Sequence, residues 1–299
     1  MPGQVRVGRS RYEKGRVFNP KFPGFKAVPV LTTGQGKYGD ISPYNLQTLD
    51  GKNIENHYQF SKVYRDIPQV SIPYSSKDPR IVWNWSAETH IDVNGNLTPQ
   101  YWRWREAGKN NPHPVRNPVG WNHLKNCQFS LAKDEPISET NPRLNYIEAR
   151  TQIYVPVYLE AALQHPLFIE LWGRLQRGEN LLLIDVDGPH QESLEYYRGK
   201  YRVSENFIEN HSILATSENL NILLNDPKHP FGHCFALAHA LQHYQPIQLT
   251  QAEFVQRIQQ GILVSGDDHP EFQSLVSPGH RLISAKAPNG RVCWIDLAP

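Results

Sequence analysis

Cysteine is scarce: Cys127, Cys234 and Cys293 are far apart in 299 residues and odd in number. That excludes a disulfide framework and favours buried thiols in a reducing compartment. No run of about 18 apolar residues occurs, so no membrane-spanning helix is expected. The opening stretch MPGQVRVGRSRYEKGRVFNP has no apolar core of the kind a secretory signal needs, and a cytoplasmic protein is expected. Charge of one sign is also missing, with 31 Lys and Arg against 29 Asp and Glu, so the whole-chain charge indicates neither nucleic acid nor an acidic partner. No Walker loop, no G-x-G-x-x-G and no G-x-S-x-G is present.

What is abundant is aromatic and turn-forming residues: 11% Phe, Trp and Tyr, 24 Pro and 20 Gly. This mix excludes a disordered chain, a coiled coil and collagen, and describes a loop-rich globular protein of one or two domains. No internal repeat or linker interrupts it, and one elaborated domain is the simplest expectation. Charge is nevertheless uneven. Residues 1–30 hold seven basic groups against the single acid Glu13, interleaved with Tyr12, Phe18, Phe22 and Phe25. Such an arm can lie along phosphates, which makes nucleic acid a candidate partner; a solvated, partly ordered tail is the alternative.

Local signals place several elements. Asp50-Gly51 is a turn and Asn53 an N-cap for a helix expected over 54–64. Residues 67–140, with IVWNW and YWRWR, read as short strands and long loops. Pro156 should kink or split the helix of IEARTQIYVPVYLEAAL. Pro166 opens a helix that Gly178 closes, and LLLID (181–185) is a buried strand. Ser217 caps a short helix, Pro230 opens another through His243, Thr250 and Glu253 form a capping box, and Asn289-Gly290 turns a C-terminal hairpin.

The densest polar pattern is IENHYQFSKVY. On an α-helix Glu55, Gln59 and Lys62 stand at 0°, about 40° and about −20°, one stripe carrying a carboxylate, an amide and an ammonium. Such a stripe can hold a polar substrate, with Tyr58 and Tyr64 nearby; a solvated face with a Glu–Lys pair is the alternative.

The segment YGDISPYNLQTLDGKNIENHYQFSKVY resembles the opening signature of the NADAR (YbiA-like) family, in which a serine-aromatic turn and a strand lead to a helix with Glu, then Gln four residues on and Lys seven on. Glu55, Gln59 and Lys62 occupy those positions, and Ser42 and Tyr44 fall in the preceding turn. EARTQIYVPVYLEAALQHPLFIELWGRLQRGENLLLID is similar to the family's long helix, Gln-His-Pro step, second helix and strand. The two segments cover about 65 residues. Tyr146 stands where the family places a Trp four residues before the basic Arg150, and Tyr154 replaces a Met. The closing acid before an aromatic-Gly pair corresponds to Asp226 before Phe231-Gly232, delayed by an insertion at 188–225; Asp185 and Asp187 are competitors. The Trp-rich stretch 67–140 would be another insertion.

The resemblance implies an α+β, mostly helical single domain over 31–299 after the basic arm, with loop-rich insertions and a C-terminal hairpin. It implies an N-glycosidase that cleaves a base–ribose or ribosylamine bond, ADP-ribose on guanine included, with no cofactor and no metal. Breaking a C–N glycosidic bond builds positive charge on the anomeric carbon, which a carboxylate stabilises while it deprotonates water. Glu55 and Asp226 would be the two acids. Lys62 would hold a phosphate or ribose oxygen or set the ionisation of Glu55. Tyr44, Tyr58 and Tyr146 would stack on a base, with Ser42, Gln59, Arg150, Phe231 and Gly232 completing the substrate site.

Other readings remain open. A binding module for ADP-ribose or a nucleotide would keep the pocket without turnover. His229, His233, His239 and His243 with Cys234 include an i, i+4 pair that suits a metallohydrolase, but no acid sits between the pair, and core or surface histidines are the plainer reading of this helix. His113 and His123 lack ligand spacing. Asp185 and Asp187 end a strand as D-x-D, a phosphatase-like pattern without its other parts.

Overall fold

Residues 1–30 are not an arm. In the computed structural model, Val5–Arg9 is an interior strand, parallel to Leu181–Asp185 on one side and antiparallel to Ser212–Leu214 on the other; Lys26–Pro29 extends the sheet beyond Leu181–Asp185. Val5 and Val7 are buried. Three of the seven basic groups are committed within the same unit: Arg6 Nε donates to Ser212 Oγ (3.0 Å) and its guanidinium lies 3.6 Å over the Phe22 ring, while Arg9 pairs with Glu192 and Arg11 with Glu13; Lys14, Arg16, Lys21 and Lys26 are exposed. Arg6 here stacks on the Phe22 and Phe25 rings. Deleting residues 1–10 is therefore expected to abolish the soluble folded protein. A free arm would leave far-UV circular dichroism and the melting temperature unchanged, and that comparison decides the point.

The structure describes residues 1–75, 78–115, 117–118 and 126–299; His123 lies outside them. The chain divides into two compact units in place of one domain with an arm: Met1–Val30 with Leu159–Leu220 and Cys234–Pro299, and Leu31–Tyr158 with Asn221–His233. Non-local strand pairing is the reason, since Val5–Arg9 finds its neighbours about 175 and 205 residues later. Helices and sheets mix, with 33% helix and 25% strand. That is α+β, with helix less dominant than expected. Among the described residues no helix is long and apolar enough to cross a membrane. Of the three cysteines Cys234 is buried and the other two are partly so.

In the first unit a second sheet has the order Ile247–Thr250, Val292–Ala298, Arg281–Lys286, Ser265–Asp268. The hairpin turns at Gly290 (φ +87°), and the Thr250–Glu253 capping box starts the helix Gln251–Gln259. Pro166–Gln176 is a helix with His165 as N-cap, followed by Gly178 at φ +87°, and Leu181–Asp185 is buried throughout. The helix Ser217–Leu224 is capped one residue earlier than expected, by Thr216, whose Oγ1 accepts the Asn219 N–H (3.1 Å). Pro230 stays outside its helix, which runs His233–His243.

In the second unit YWRWR is helical, within Pro99–Lys109. Thr98 accepts the Tyr101 N–H and Pro99 takes the first turn, a start signal that outweighs the apparent alternation. Tyr101, Trp104, Arg105 and Gly108 are buried at i, i+3, i+4 and i+7, the helical period. Gly108 is required there, because a Cβ would fall 2.1 Å from the Phe60 ring. Around Phe60 and Trp104 gathers an aromatic core with Tyr64, Trp83 and Tyr101. Of the stretch 67–140, its first part does hold short strands as expected, Val70–Ser75 with Asp78–Trp85 and Asp66–Ile67 with Glu88–Thr89.

His90 is fully buried in this core, between the Trp104 and Tyr101 rings, with neither ring nitrogen hydrogen-bonded among the described residues. Burial pulls its pKa from 6.5 to about 4, partly opposed by Glu88. His57 is likewise pulled down to about 4, by burial and by the charges of Lys109 and Arg105. Both rings are thus held neutral, while the unfolded chain takes up protons near pH 6.5. Stability is full above about pH 6.5 and declines as pH falls toward 4, by about 3 kcal/mol for His90 alone. Urea unfolding between pH 7.5 and 4 checks this, and His90→Phe should flatten the dependence.

Candidate functional site

Local capping joins the Ser42–Tyr44 turn to the Glu55 helix. Asn53 is extended (φ −63°, ψ 133°) and its side chain accepts the Asn56 N–H, the N-cap arrangement. Its Nδ2 donates to the Tyr44 carbonyl (2.7 Å), and the Glu55 N–H donates to the Pro43 carbonyl (3.1 Å). The Tyr158 hydroxyl donates to the Ile41 carbonyl (3.0 Å). Ser42 is buried, and its hydroxyl has no partner among the described residues.

The helix is shorter than expected: it spans Ile54–Gln59, and Lys62 begins the strand Lys62–Tyr64. Phe60 caps the helix, and the Ser61 hydroxyl donates back to the Tyr58 carbonyl (2.7 Å). Val63 and Tyr64 suit a strand and pair with Cys127–Ser130, a partner too distant in sequence to foresee. Lys62 is therefore not on a helical stripe, yet it reaches the same neighbours. Gln59 Nε2 donates to Glu55 Oε1 (2.9 Å), and Lys62 Nζ donates to Gln59 Oε1 (2.7 Å). With Glu55 4% and Lys62 7% exposed, this is not a solvated face. The ammonium fixes the amide orientation, and the amide holds the carboxylate. Lys62 Nζ also sits 4.6 Å from the Tyr58 ring centre.

Tyr146 and Arg150 come from one helical run, Tyr146–Ala149 continuing as a π-turn over Arg150–Tyr154 and then as Val155–Ala162. Pro156 does not split it in two. The widened turn, in which the Val155 N–H bonds to the Arg150 carbonyl, accommodates the proline ring. Arg150 is buried: Nη1 donates to the Leu223, Leu224 and Asp226 carbonyls (3.0, 2.8 and 3.1 Å) and Nη2 to the His229 carbonyl (2.9 Å). Its guanidinium faces the Tyr146 ring at 4.5 Å and the Phe231 ring at 5.7 Å. Arg150 thus shapes the 223–232 segment from within.

Asp226 is fully buried. Its Oδ1 accepts the Lys228 N–H (3.2 Å) and its Oδ2 meets His229 Nδ1 at 2.6 Å. This carboxylate–imidazole pair makes His229 a site residue that the sequence presented only as a possible metal ligand. The two halves of the site meet at Tyr58, which packs on Tyr154 (ring centres 4.9 Å) and against the Leu144, Ala149 and Ile153 cluster. Burial pushes the Tyr58 phenol well up, and Tyr146, Arg150 and Glu55 all lie within electrostatic reach of it. Asn56, also missed, pins the adjoining loop: Nδ2 donates to the Asn111 and His113 carbonyls and Oδ1 accepts the Val115 N–H.

Asp185 and Asp187, and the pair His239 and His243 (ring centres 4.5 Å), belong to the other unit. His233 packs on Tyr158. Among the described residues no three His, Cys, Asp or Glu side chains are grouped as a metal ion requires. None of the known family models, curated proteins or solved structures compared with the chain matches it.

Proposed function

We propose that the unit Leu31–Tyr158 with Asn221–His233 hydrolyses a C–N glycosidic bond of a nucleotide-derived or ADP-ribosylated substrate, ADP-ribosyl-guanine in nucleic acid being the example to test, within a NADAR-like fold. The supporting observation is the buried Glu55–Gln59–Lys62 chain beside the Ser42–Tyr44 turn and Tyr58. A buried carboxylate costs several kcal/mol to desolvate and is retained where its charge has a use.

In this reading Glu55 faces the positive charge that develops at the anomeric carbon and takes the proton of the attacking water. The C–N bond breaks, and the leaving nitrogen acquires a proton from the second acid, Asp226 with its partner His229. Lys62 orients Glu55 through Gln59 and offers its charge to a phosphate or ribose oxygen. Ser42, Tyr44, Tyr58, Tyr146, Phe231 and Gly232 would bound the base, and Arg150 supports them by holding the 223–232 carbonyls.

A second reading has a specific observation in its favour. The Asp226 carboxylate is already engaged by His229 and the Lys228 N–H, which suits a module that binds ADP-ribose without turnover. Chromatography of products from ADP-ribosylated guanine-containing DNA and from ribosylamine metabolites, with calorimetry against ADP-ribose, separates the two. Base release supports the hydrolase, and binding without release supports the module. Neither result would leave both readings without support.

A further inference from the structure

The sheet formed by Ser265–Asp268, Arg281–Lys286, Val292–Ala298 and Ile247–Thr250 has two chemically different faces. Ile283, Ala285, Ile295 and Leu297 point to one side and form a hydrophobic cluster with Phe254 and Ile258 of the helix Gln251–Gln259. Side chains alternate along a strand, so Ser284 and Trp294, paired directly across the ladder, share the opposite face. There a short 3₁₀ segment, Pro270–Leu275, follows His269, whose N–H donates to the Leu282 carbonyl (3.0 Å).

His269 Nε2 is 2.8 Å from Ser284 Oγ, and His269 Nδ1 is 3.0 Å from Glu271 Oε1. A carboxylate only accepts, so Nδ1 carries the proton given to Glu271, and the neutral ring leaves Nε2 to accept from the Ser284 hydroxyl. That is the order nucleophile, base, orienting acid, with both hydrogen bonds formed. The bond from His269 also holds the Glu271 carboxyl below its usual range. The Trp294 ring lies 4.8 Å from His269; it is 2% exposed and its indole N–H has no partner among the described residues. The packed indole thus forms the wall against which the imidazole is held.

We propose that Ser284, His269 and Glu271 form a second active site, one that cleaves small carboxylic esters through an acyl-serine. Ser284 Oγ bonds to the acyl carbon as its proton passes to His269 Nε2. The ester C–O bond breaks and the departing alcohol oxygen takes that proton. Water then gives a proton to His269 as its oxygen attacks the acyl carbon, and release of the carboxylic acid returns the proton to Ser284. Asp267, paired across the ladder from Ser284, joins Glu271 and the His280–Asp296 pair (2.8 Å) to make the surroundings acidic, while Arg281 is paired with Asp268. Neutral or cationic esters are therefore favoured over anionic ones.

The full chain, treated with a fluorophosphonate probe and mapped by peptide mass spectrometry, should carry the adduct on Ser284, and should hydrolyse p-nitrophenyl acetate faster than a singly negative succinate ester. Ser284→Ala should remove both. His269→Gln should slow labelling by about 100-fold or more. Glu271→Gln changes a side chain 58% exposed, so it tests the orienting role without disturbing the core, and should slow labelling by up to about 10⁴-fold. Wild-type protein with a normal circular dichroism spectrum and no Ser284 adduct would overturn the proposal. So would equal labelling rates for wild type and both the His269 and Glu271 variants.

Discussion

Glu55→Gln is expected to slow base release by about 10³-fold while the protein stays folded, within the range general-base groups contribute. The substitution keeps the volume of the side chain and leaves an amide oxygen at Oε1, so Gln59 Nε2 retains an acceptor and Lys62 retains Gln59. In the proposed reaction, what disappears is the negative charge beside the developing cation and the basic site for the proton of water. KM for ADP-ribosylated substrate should change little compared with kcat, because the lost interaction belongs mainly to the transition state. Lys62→Met provides the contrast: it removes the charge that orients the amide and that, in the proposed reaction, meets substrate oxygens, and should raise KM as well as lower kcat. Equal turnover by wild type and Glu55→Gln on any substrate the protein cleaves would remove Glu55 from the mechanism.

Arg105→Met is expected to destabilise the protein by about 3–5 kcal/mol, read as a lowered urea midpoint. All five donors of this buried guanidinium are engaged: Nε with Asp134 Oδ1 (2.5 Å), Nη1 with the Phe60 carbonyl and the Tyr101 hydroxyl, Nη2 with the Leu131 and Lys133 carbonyls. Met fills much of the space but satisfies none of these acceptors, and buried acceptors left alone carry their full desolvation penalty. Lys109 shares Asp134 (2.6 Å), and its pKa is drawn down to about 8 by burial and by Arg105. Burial works against ionisation of Asp134, yet Arg105 and Lys109 hold it at about 2. Arg105→Lys keeps the charge but offers three donors from a single atom, so it should recover less than half of the loss. A change below about 1 kcal/mol for Arg105→Met would mean that water replaces the guanidinium.

Features decided within a few residues were legible in the chain. The Asn53 cap, the Thr250–Glu253 box, Pro166 with Gly178, the apolar run Leu181–Asp185 and the turn at Asn289-Gly290 all form where their local chemistry places them. Glu55 and Gln59 are likewise neighbours because a helical turn makes them so. Thr98-Pro99 carried a readable start signal for Pro99–Lys109, obscured by the alternating aromatic and basic residues that follow it. Arg150 shows the opposite limit. A basic residue four after an aromatic suggested substrate contact, yet its partners are four carbonyls more than 70 residues away.

By itself, then, the order of residues determined caps, turns, the buried strand and the Glu55–Gln59 pair, since each depends on dihedral preference and contacts within one or two helical turns. Only the tertiary structure decided that Val5–Arg9 lies inside a sheet, that Lys62 sits on a strand and still reaches Gln59, that Asp226 is joined to His229 beneath Arg150, and that His269 bridges Ser284 and Glu271. Those outcomes depend on which distant strand completes a ladder and which buried donor finds an acceptor. Hydrogen-bond satisfaction and burial settle them across the whole chain at once.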